Sequence, residues 1–278
     1  MSEWPLMPTV PELKPAEFLV LREFVHSTFG LDLRDGKERL VSARLGKHIR
    51  AGGFGSFDQY LKHVRADRTG ESLTQLIDSL TTNHTNFLRE EEHFRFLIST
   101  LLPELRERRS VTIWSAASST GEEPYSILFT LLDALQTGPS LDVRIVATDI
   151  STRVLRTARA GIYPHEKLRS VPPSWLQRYF HSVDRGSKEW QVRPEFRSRV
   201  EFRRLNLMDP LPAATRYPVI FCRNVMIYFD KQTQSGLVQR LSHALEDGGC
   251  LLVGHSESLT GIDHQLKYVR PAVYRKSK

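Results

Sequence analysis

The sequence predicts an α/β protein: a parallel sheet with helices on both faces, an all-helical N-terminal domain, and a small inserted antiparallel β-subdomain. Three observations predict it. From about Val111 onward, short β-branched runs alternate with helical stretches, and parallel strands need such crossovers. Residues 1–80 carry only helical periodicity. Between Tyr163 and Arg204 the alternation breaks into period two. The expected domains are therefore 1–80 and 81–278, the second interrupted by an insertion at about 163–204.

Each element has its own justification. In "ERLVSARLGKHIRAGGFGS", Val41, Leu45 and Ile49 share one helical face, and "AGG" stops the helix. Arg44, Lys47 and Arg50 fall on the opposite side, three apart. Such a basic stripe is ordinarily a solvated face; its functional alternative is a docking surface for something acidic. "ESLTQLIDSLTTN" supplies a second core stripe of Leu73, Leu76, Ile77 and Leu80. "VTIWSAA" then reads as a strand and "EEPYSILFTLLDAL" as a helix with Tyr125, Leu128, Leu132 and Leu135 inward. "VRIVATDI" is the next strand, followed by the helix "STRVLRTARAG", where Gly161 is the stop signal. "YPVIFCRN", "KQTQSGLVQRLSHALEDGG" and "CLLVGHS" repeat strand, helix, strand. Within the break, Trp190 and Val192, then Val200 and Phe202, alternate with polar residues, and "RPEF" between them predicts a hairpin turn.

Composition narrows the class without choosing a function. The chain has 278 residues, 40% hydrophobic, with a net charge of +7. That balance permits an acidic protein, a nucleic acid or an anionic surface as partner. Cys222 and Cys250 stand in apolar runs, away from metal-ligand spacing; no disulfide framework and no metal site is expected, and a reducing cytoplasm fits. "MSEWPLMPTVPELKP" has prolines where a signal peptide needs an unbroken apolar core. No apolar run approaches the roughly 18 residues of a membrane span. The expectation is a cytoplasmic monomer with no membrane insertion.

In an open parallel sheet, ligands bind beyond the carboxyl ends of the strands. The polar residues collected there are "SAASSTGEEP", Asp149 in "ATDIS", Asn206 with Leu207, and Arg223 with Asn224 after "VIFC". Arginine at the end of a core strand demands a partner, since an unpaired buried charge costs several kcal/mol; a polar cofactor is the expected one. Alternatives stay open at two positions: Thr120 with Glu123 fits a capping box, and Asp149 fits a helix N-cap region. Gly121 is the loop's single glycine, and Glu122 and Glu123 follow it. This is hostile to a pyrophosphate, which needs close backbone approach, and suits a cation. A methyl donor such as S-adenosylmethionine, cationic and without phosphate, is favoured over a dinucleotide.

The segments "TTNHTNFLRE", "SAASSTGEEPYSI", "ATDIS", "FCRNVMIYFD" and "GHSESL" closely resemble the CheR-type chemotaxis receptor methyltransferases, and the likeness runs through nearly the whole chain. The resemblance implies a Rossmann-like, S-adenosylmethionine-dependent protein-glutamate O-methyltransferase acting on the cytoplasmic domain of methyl-accepting chemotaxis receptors, with S-adenosylhomocysteine as product. It implies that Asn83, Thr85 and Arg89 lie over the cofactor. Ala117 and Glu123 would hold its methionine part, and Asp149 and Ile150 its ribose and adenine. Asn206, Leu207, Arg223 and Asn224 would complete the pocket, with Arg89 and Tyr228 as catalytic residues. Arg44, Lys47 and Arg50 correspond to the surface that meets the receptor. Ser118 stands where the family commonly has cysteine, and His84 and Asn86 occupy variable points. "HSVDRGSKEW" departs from the members that grip a receptor tether peptide, which weighs against tethering. The alternatives are a methyltransferase acting on another protein or RNA, and a non-catalytic sensor of S-adenosylmethionine.

Overall fold

The chain divides into two units, Met1–Thr82 and Asn83–Lys278. The computed structural model describes residues 11–136, 141–184, 186, 188–211 and 215–278. The proline-rich start of the chain, up to residue 10, and two positions of "HSVDRGSKEW", Arg185 and Ser187, lie outside the described residues.

The described residues of the first unit form four amphipathic helices: α1 (Pro15–Phe29), α2 (Glu38–Ala51), α3 (Phe57–Ala66) and α4 (Glu71–Leu80). Each turns one apolar stripe inward at helical spacing, as Phe18, Leu21, Val25 and Phe29 do on α1 and Val41, Leu45 and Ile49 on α2. On α4 the buried stripe is Thr74, Leu76, Ile77 and Leu80, while Leu73 is only half-buried. Of the basic residues on α2, Lys47 and Arg50 are exposed. Arg44 is half-buried and donates through Nη1 to the Leu80 carbonyl at 2.6 Å, which ties α2 to the end of α4. Asp67 organises the turn into α4 by accepting from the Thr69 hydroxyl and from the Thr69 and Ser72 N–H groups. These bonds, the Thr69 hydroxyl first, hold its carboxyl well below the usual range. A depressed carboxyl stabilises the fold above its unfolded pKa and loses that contribution as pH falls. Asp67→Asn is therefore expected to lower the melting temperature at pH 6, with the gap to wild type closing below about pH 4; melts of both chains from pH 6 to 3 check this.

The second unit is built on a seven-stranded sheet. Its strands are β1 (Ser110–Ala116), β2 (Asp142–Asp149), β6 (Val200–Arg204), β7 (Tyr217–Cys222), β8 (Leu245–Val253), β9 (Lys267–Arg270) and β10 (Val273–Arg275), in the order β6-β2-β1-β7-β8-β10-β9. The first five run parallel, and β10 and β9 are antiparallel additions at one edge. The two residues between β9 and β10 are too few for a crossover, so that pair is a hairpin. The helices α5 (Glu92–Phe96), α6 (Leu102–Leu105), α7 (Glu122–Ala134), α8 (Thr152–Ala160) and α11 (Lys231–Ala244) belong to this unit. α7 is buried on nearly all sides from Glu122 to Leu131, whereas Leu132 and Leu135 are only half-buried.

A separate antiparallel sheet contains β3 (Ile162–Pro164), β4 (Phe180–Ser182) and β5 (Glu189–Val192), in the order β3-β5-β4, with α9 (Pro173–Tyr179) between β3 and β4. It packs on α7 through aromatic rings: Phe129 meets Phe180 of β4 edge-on with centroids 5.5 Å apart, and stacks on Tyr179 at the end of α9 at 4.3 Å. The hairpin expected across "RPEF" is corrected. Pro194–Arg197 forms a one-turn helix, α10, with proline at its start, and the strand beyond it returns to the main sheet. There Val200 pairs in parallel with Ile145, through to Arg204 with Asp149. The small sheet thus ends at Val192, short of residue 204. Alternation identified the Val200 and Phe202 strand, but period two is the same in either sheet.

Candidate active site

The sheet reverses its winding at β1, with β2 and β6 on one side and β7 and β8 on the other. A crevice opens beyond the strand ends at such a switch point. β1 and β7 end level, Ala116 opposite Cys222, so the residues following them meet.

Arg223 is the centre of that meeting. Its side chain is only 1% exposed. Nη1 donates to Glu123 Oε2 at 3.0 Å, and Nη2 to Glu90 Oε2 at 2.9 Å and to the Arg89 carbonyl at 2.6 Å. The other Glu123 oxygen accepts from the Ser115 hydroxyl at 2.7 Å. The partner that Arg223 demands is supplied at both Nη atoms by the protein itself, while its buried Nε has no hydrogen-bond partner. Burial pushes the Glu123 carboxyl up, against the pull of Arg223 and Ser115. Burial acts on Glu90 in the same sense, but the Arg223 charge and the hydrogen bonds from Arg223, the His255 N–H and Asn224 outweigh it and hold that carboxyl below its ordinary value.

Asn224 adopts a left-handed backbone, φ 58°. Glu257, buried, holds the turn that follows. Its Oε2 accepts from the N–H groups of Asn224 at 2.7 Å and Gly254 at 2.6 Å, and its Oε1 from Met226 at 2.7 Å and Ile227 at 3.3 Å. Tyr228 lies on the short 3-10 turn Met226–Tyr228 and is half-buried rather than part of the core.

The loop after β1 carries three left-handed residues, Ala117, Ser119 and Gly121, at φ 62°, 49° and 97°. Asp149 braces it, accepting from the Ser119 N–H at 2.8 Å and the Ser151 N–H at 2.9 Å. Asp149 does stand in the N-cap region of α8, whose N-cap Ser151 donates its N–H to it. The capping box does not form: the N-cap of α7 is Gly121, with Glu123 turned to Ser115 and Arg223. Thr120 instead donates to Glu122, a fully buried carboxylate that also takes Lys167 Nζ at 2.6 Å. A methyl group on Gly121 would stand 2.8 Å from Tyr163 Oη and 3.1 Å from the Ala158 Cα. Gly121→Ala is expected to destabilise this unit by at least about 1–3 kcal/mol, the cost of a strained backbone position, before the clash with α8 is counted; a urea titration measures it.

Beyond β6, the Leu205 N–H donates to the Asp149 carbonyl at 3.0 Å and Arg204 Nε to the Ile150 carbonyl at 3.4 Å. These bonds set Asn206 and Leu207 beside Asp149 and Ile150. The Ser119 hydroxyl donates to the Asn83 carbonyl at 3.3 Å. Asn83 and Thr85 line a cavity of about 420 Å³ with Lys167 and Arg169. Phe87 pins this segment, fully buried and edge-on to Tyr163 at 5.0 Å. Leu88 and Glu90 are left-handed on either side of Arg89, at φ 55° and 60°; Arg89 Nη1 donates to the His84 carbonyl at 3.0 Å.

Comparison with known families matches residues 83–274 to the CheR methyltransferase SAM binding domain and residues 16–81 to the CheR methyltransferase all-alpha domain. The chain belongs to the CheR methyltransferase family. As a member it is an S-adenosylmethionine-dependent methyltransferase, with the helical, Rossmann-like and small antiparallel parts expected from its sequence. Similar proteins include the chemotaxis protein methyltransferase of Borreliella burgdorferi, 37% identical over 92% of this chain and 93% of its own. Chemotaxis protein methyltransferase 2 of Pseudomonas aeruginosa is 40% identical over 93% and 92%. The Escherichia coli chemotaxis protein methyltransferase is 39% identical over 96% and 92%.

In this CheR family member, the expected site residues Arg89, Glu123, Arg223 and Asn224 join one network, with Ala117, Asp149, Ile150, Asn206 and Leu207 around the adjoining loop. Ser115, Glu90 and Glu257 were passed over in the sequence, although they stand inside "SAASSTGEEP", "TTNHTNFLRE" and "GHSESL". The available signals were an acid directly after Arg89 and another three residues after Gly254. Among the described residues, no helix is long and apolar enough to cross a membrane.

Proposed function

We propose that the chain transfers the methyl group of S-adenosylmethionine to glutamate side chains of methyl-accepting chemotaxis receptors, forming glutamyl methyl esters. The observation that carries this reading is the pairing of opposite charges at the strand ends. Glu123 and Asp149 offer carboxylates where a cationic donor is needed, and Arg89 rises from the same backbone that bonds Arg223. A loop with one glycine followed by the Glu123 carboxylate fits a cofactor that carries positive charge and no phosphate, while Glu122 is taken up by Lys167 and Thr120. When bound, the cofactor supplies an activated methyl group on a sulfonium. Asp149 serves its ribose, Ile150, Asn206 and Leu207 flank its adenine, and Ala117 and Glu123 face its methionine part. Asn83, Thr85, Arg223 and Asn224 close the pocket.

A receptor glutamate is ionised at neutral pH, its unperturbed pKa being about 4.3, so it needs no strong base. The residues work by positioning and by excluding water. Arg89 orients the acceptor carboxylate through its planar donors, and the Tyr228 hydroxyl donates beside the reacting oxygen. The exposed Lys47 and Arg50 of α2 meet the acidic receptor helices, with Arg44 bracing α2 behind them.

The test is methyl transfer from labelled cofactor to a purified receptor cytoplasmic fragment, followed by mild alkali. Label that enters the fragment and leaves as methanol supports the reading. Cofactor binding with no labelled fragment overturns the substrate and keeps the cofactor. An Arg89→Ala variant with full turnover removes Arg89 from its assignment.

A further inference from the structure

Sharing Glu90 with the Arg223 network is a cluster whose two histidines the methyl-transfer reading does not use. Glu90, His93 and His255 each offer a ligand atom, all within 4.8 Å of one another. His93 is 1% exposed, yet neither ring nitrogen has a hydrogen-bond partner. Its Nδ1 is 3.5 Å from Glu90 Oε2, too long for a hydrogen bond. Buried polar atoms are ordinarily paired, and an orphan calls for an explanation such as an ion. The His255 ring packs edge-on to His93 with centroids 4.9 Å apart, and His255 is exposed, which provides an entry path from solvent.

We propose that Glu90, His93 and His255 form a binding site for a zinc-class divalent cation, whose occupancy opposes cofactor binding. Two imidazoles and a carboxylate, with a position left for water, are a donor set that zinc accepts. Both cysteines are buried, so thiols do not compete for the ion.

The opposition follows from charge. Arg223 faces two carboxylates, Glu90 and Glu123, so the group carries one carboxylate in excess. A divalent cation bound to Glu90 more than cancels that excess and draws Glu90 from the guanidinium. The cationic cofactor assigned to Glu123 above needs the same excess, and the coupling between two such ligands is reciprocal. This half of the proposal rests on the functional reading; the metal site itself does not.

The experiment is calorimetric titration of zinc ion into the full chain, with and without S-adenosylmethionine. One zinc per chain is expected. His255→Ala and Glu90→Gln should each weaken it at least about tenfold, the smaller loss seen even for outer-shell partners of a metal. His255 is exposed, so the metal-free melting temperature of His255→Ala reports that the fold is intact. Cobalt ion should show a ligand-field spectrum that His255→Ala abolishes. Absence of saturable zinc binding, or binding unchanged in both variants, overturns the site. Zinc binding that leaves the affinity for S-adenosylmethionine unaltered overturns the coupling. None of these readouts depends on methyl transfer or on which substrate is correct.

Discussion

Replacing Arg223 by methionine should cost the second unit about 3–5 kcal/mol, the range found when one member of a buried ion pair is removed. Methionine fills similar space and abolishes all three donations. Glu123 and Glu90 are then left 12% and 14% exposed without their cation, and the Arg89 carbonyl loses its donor. In a unit of this size such a loss lowers the melting temperature by roughly 6 to 20 °C. Tryptophan fluorescence follows it chiefly, because three of the four tryptophans, Trp114, Trp175 and Trp190, belong to residues 83–278, with Trp4 in the first unit. The deficit should narrow as pH falls. In the wild type, Arg223 stabilises the ionised Glu90, a contribution present above the ordinary carboxylate pKa and lost in acid. In the variant, protonation relieves both stranded carboxylates. Adding Glu123→Gln should recover part of the loss, since groups in one network do not add. A pH-independent change below about 1 kcal/mol would mean that water solvates these carboxylates.

How much of this was legible in the sequence follows from the range of each interaction. The strands announced themselves through β-branched runs and the helices through stripes such as Val41, Leu45 and Ile49, because both signals are local. Arg223 at the end of β7 was legible as a residue needing a partner. The partner was not, because Glu90 lies 133 residues away in the chain and only the fold brings it near. Glu123 shows the opposite hazard: its spacing from Thr120 suggested a cap, but tertiary pairing with Ser115 and Arg223 took its carboxylate. Arg44 read as a surface charge, and no pattern within α2 reveals that it reaches the Leu80 carbonyl. Val200 and Phe202 gave the right element and the wrong sheet for the same reason. His93 and His255, from opposite ends of the second unit, carried no metal-ligand spacing at all.

Glu257→Gln should lower kcat/KM for methyl transfer by about two orders of magnitude while the fold survives. The carboxylate accepts four backbone N–H groups, two on each oxygen. An amide keeps one acceptor and turns an NH₂ toward donors, so two charge-assisted bonds worth roughly 1.5–3 kcal/mol each are lost. Much of that loss falls on the turn itself, since Asn224 is held left-handed there and Met226 to Tyr228 hang from the same carboxylate. Gly254 leaves no slack: a Cβ there would stand 2.5 Å from Asn224 Nδ2 and 2.8 Å from Glu257 Oε2. About 2.7 kcal/mol expressed in the transition state is the hundredfold effect. Cofactor affinity should fall as well, because Arg223 and Asn224 lead directly into this turn. Steady-state kinetics with calorimetric cofactor titration measures both. A variant with wild-type kcat/KM would show that the backbone alone holds Tyr228, and its hydroxyl would then need no buried carboxylate to stay in place.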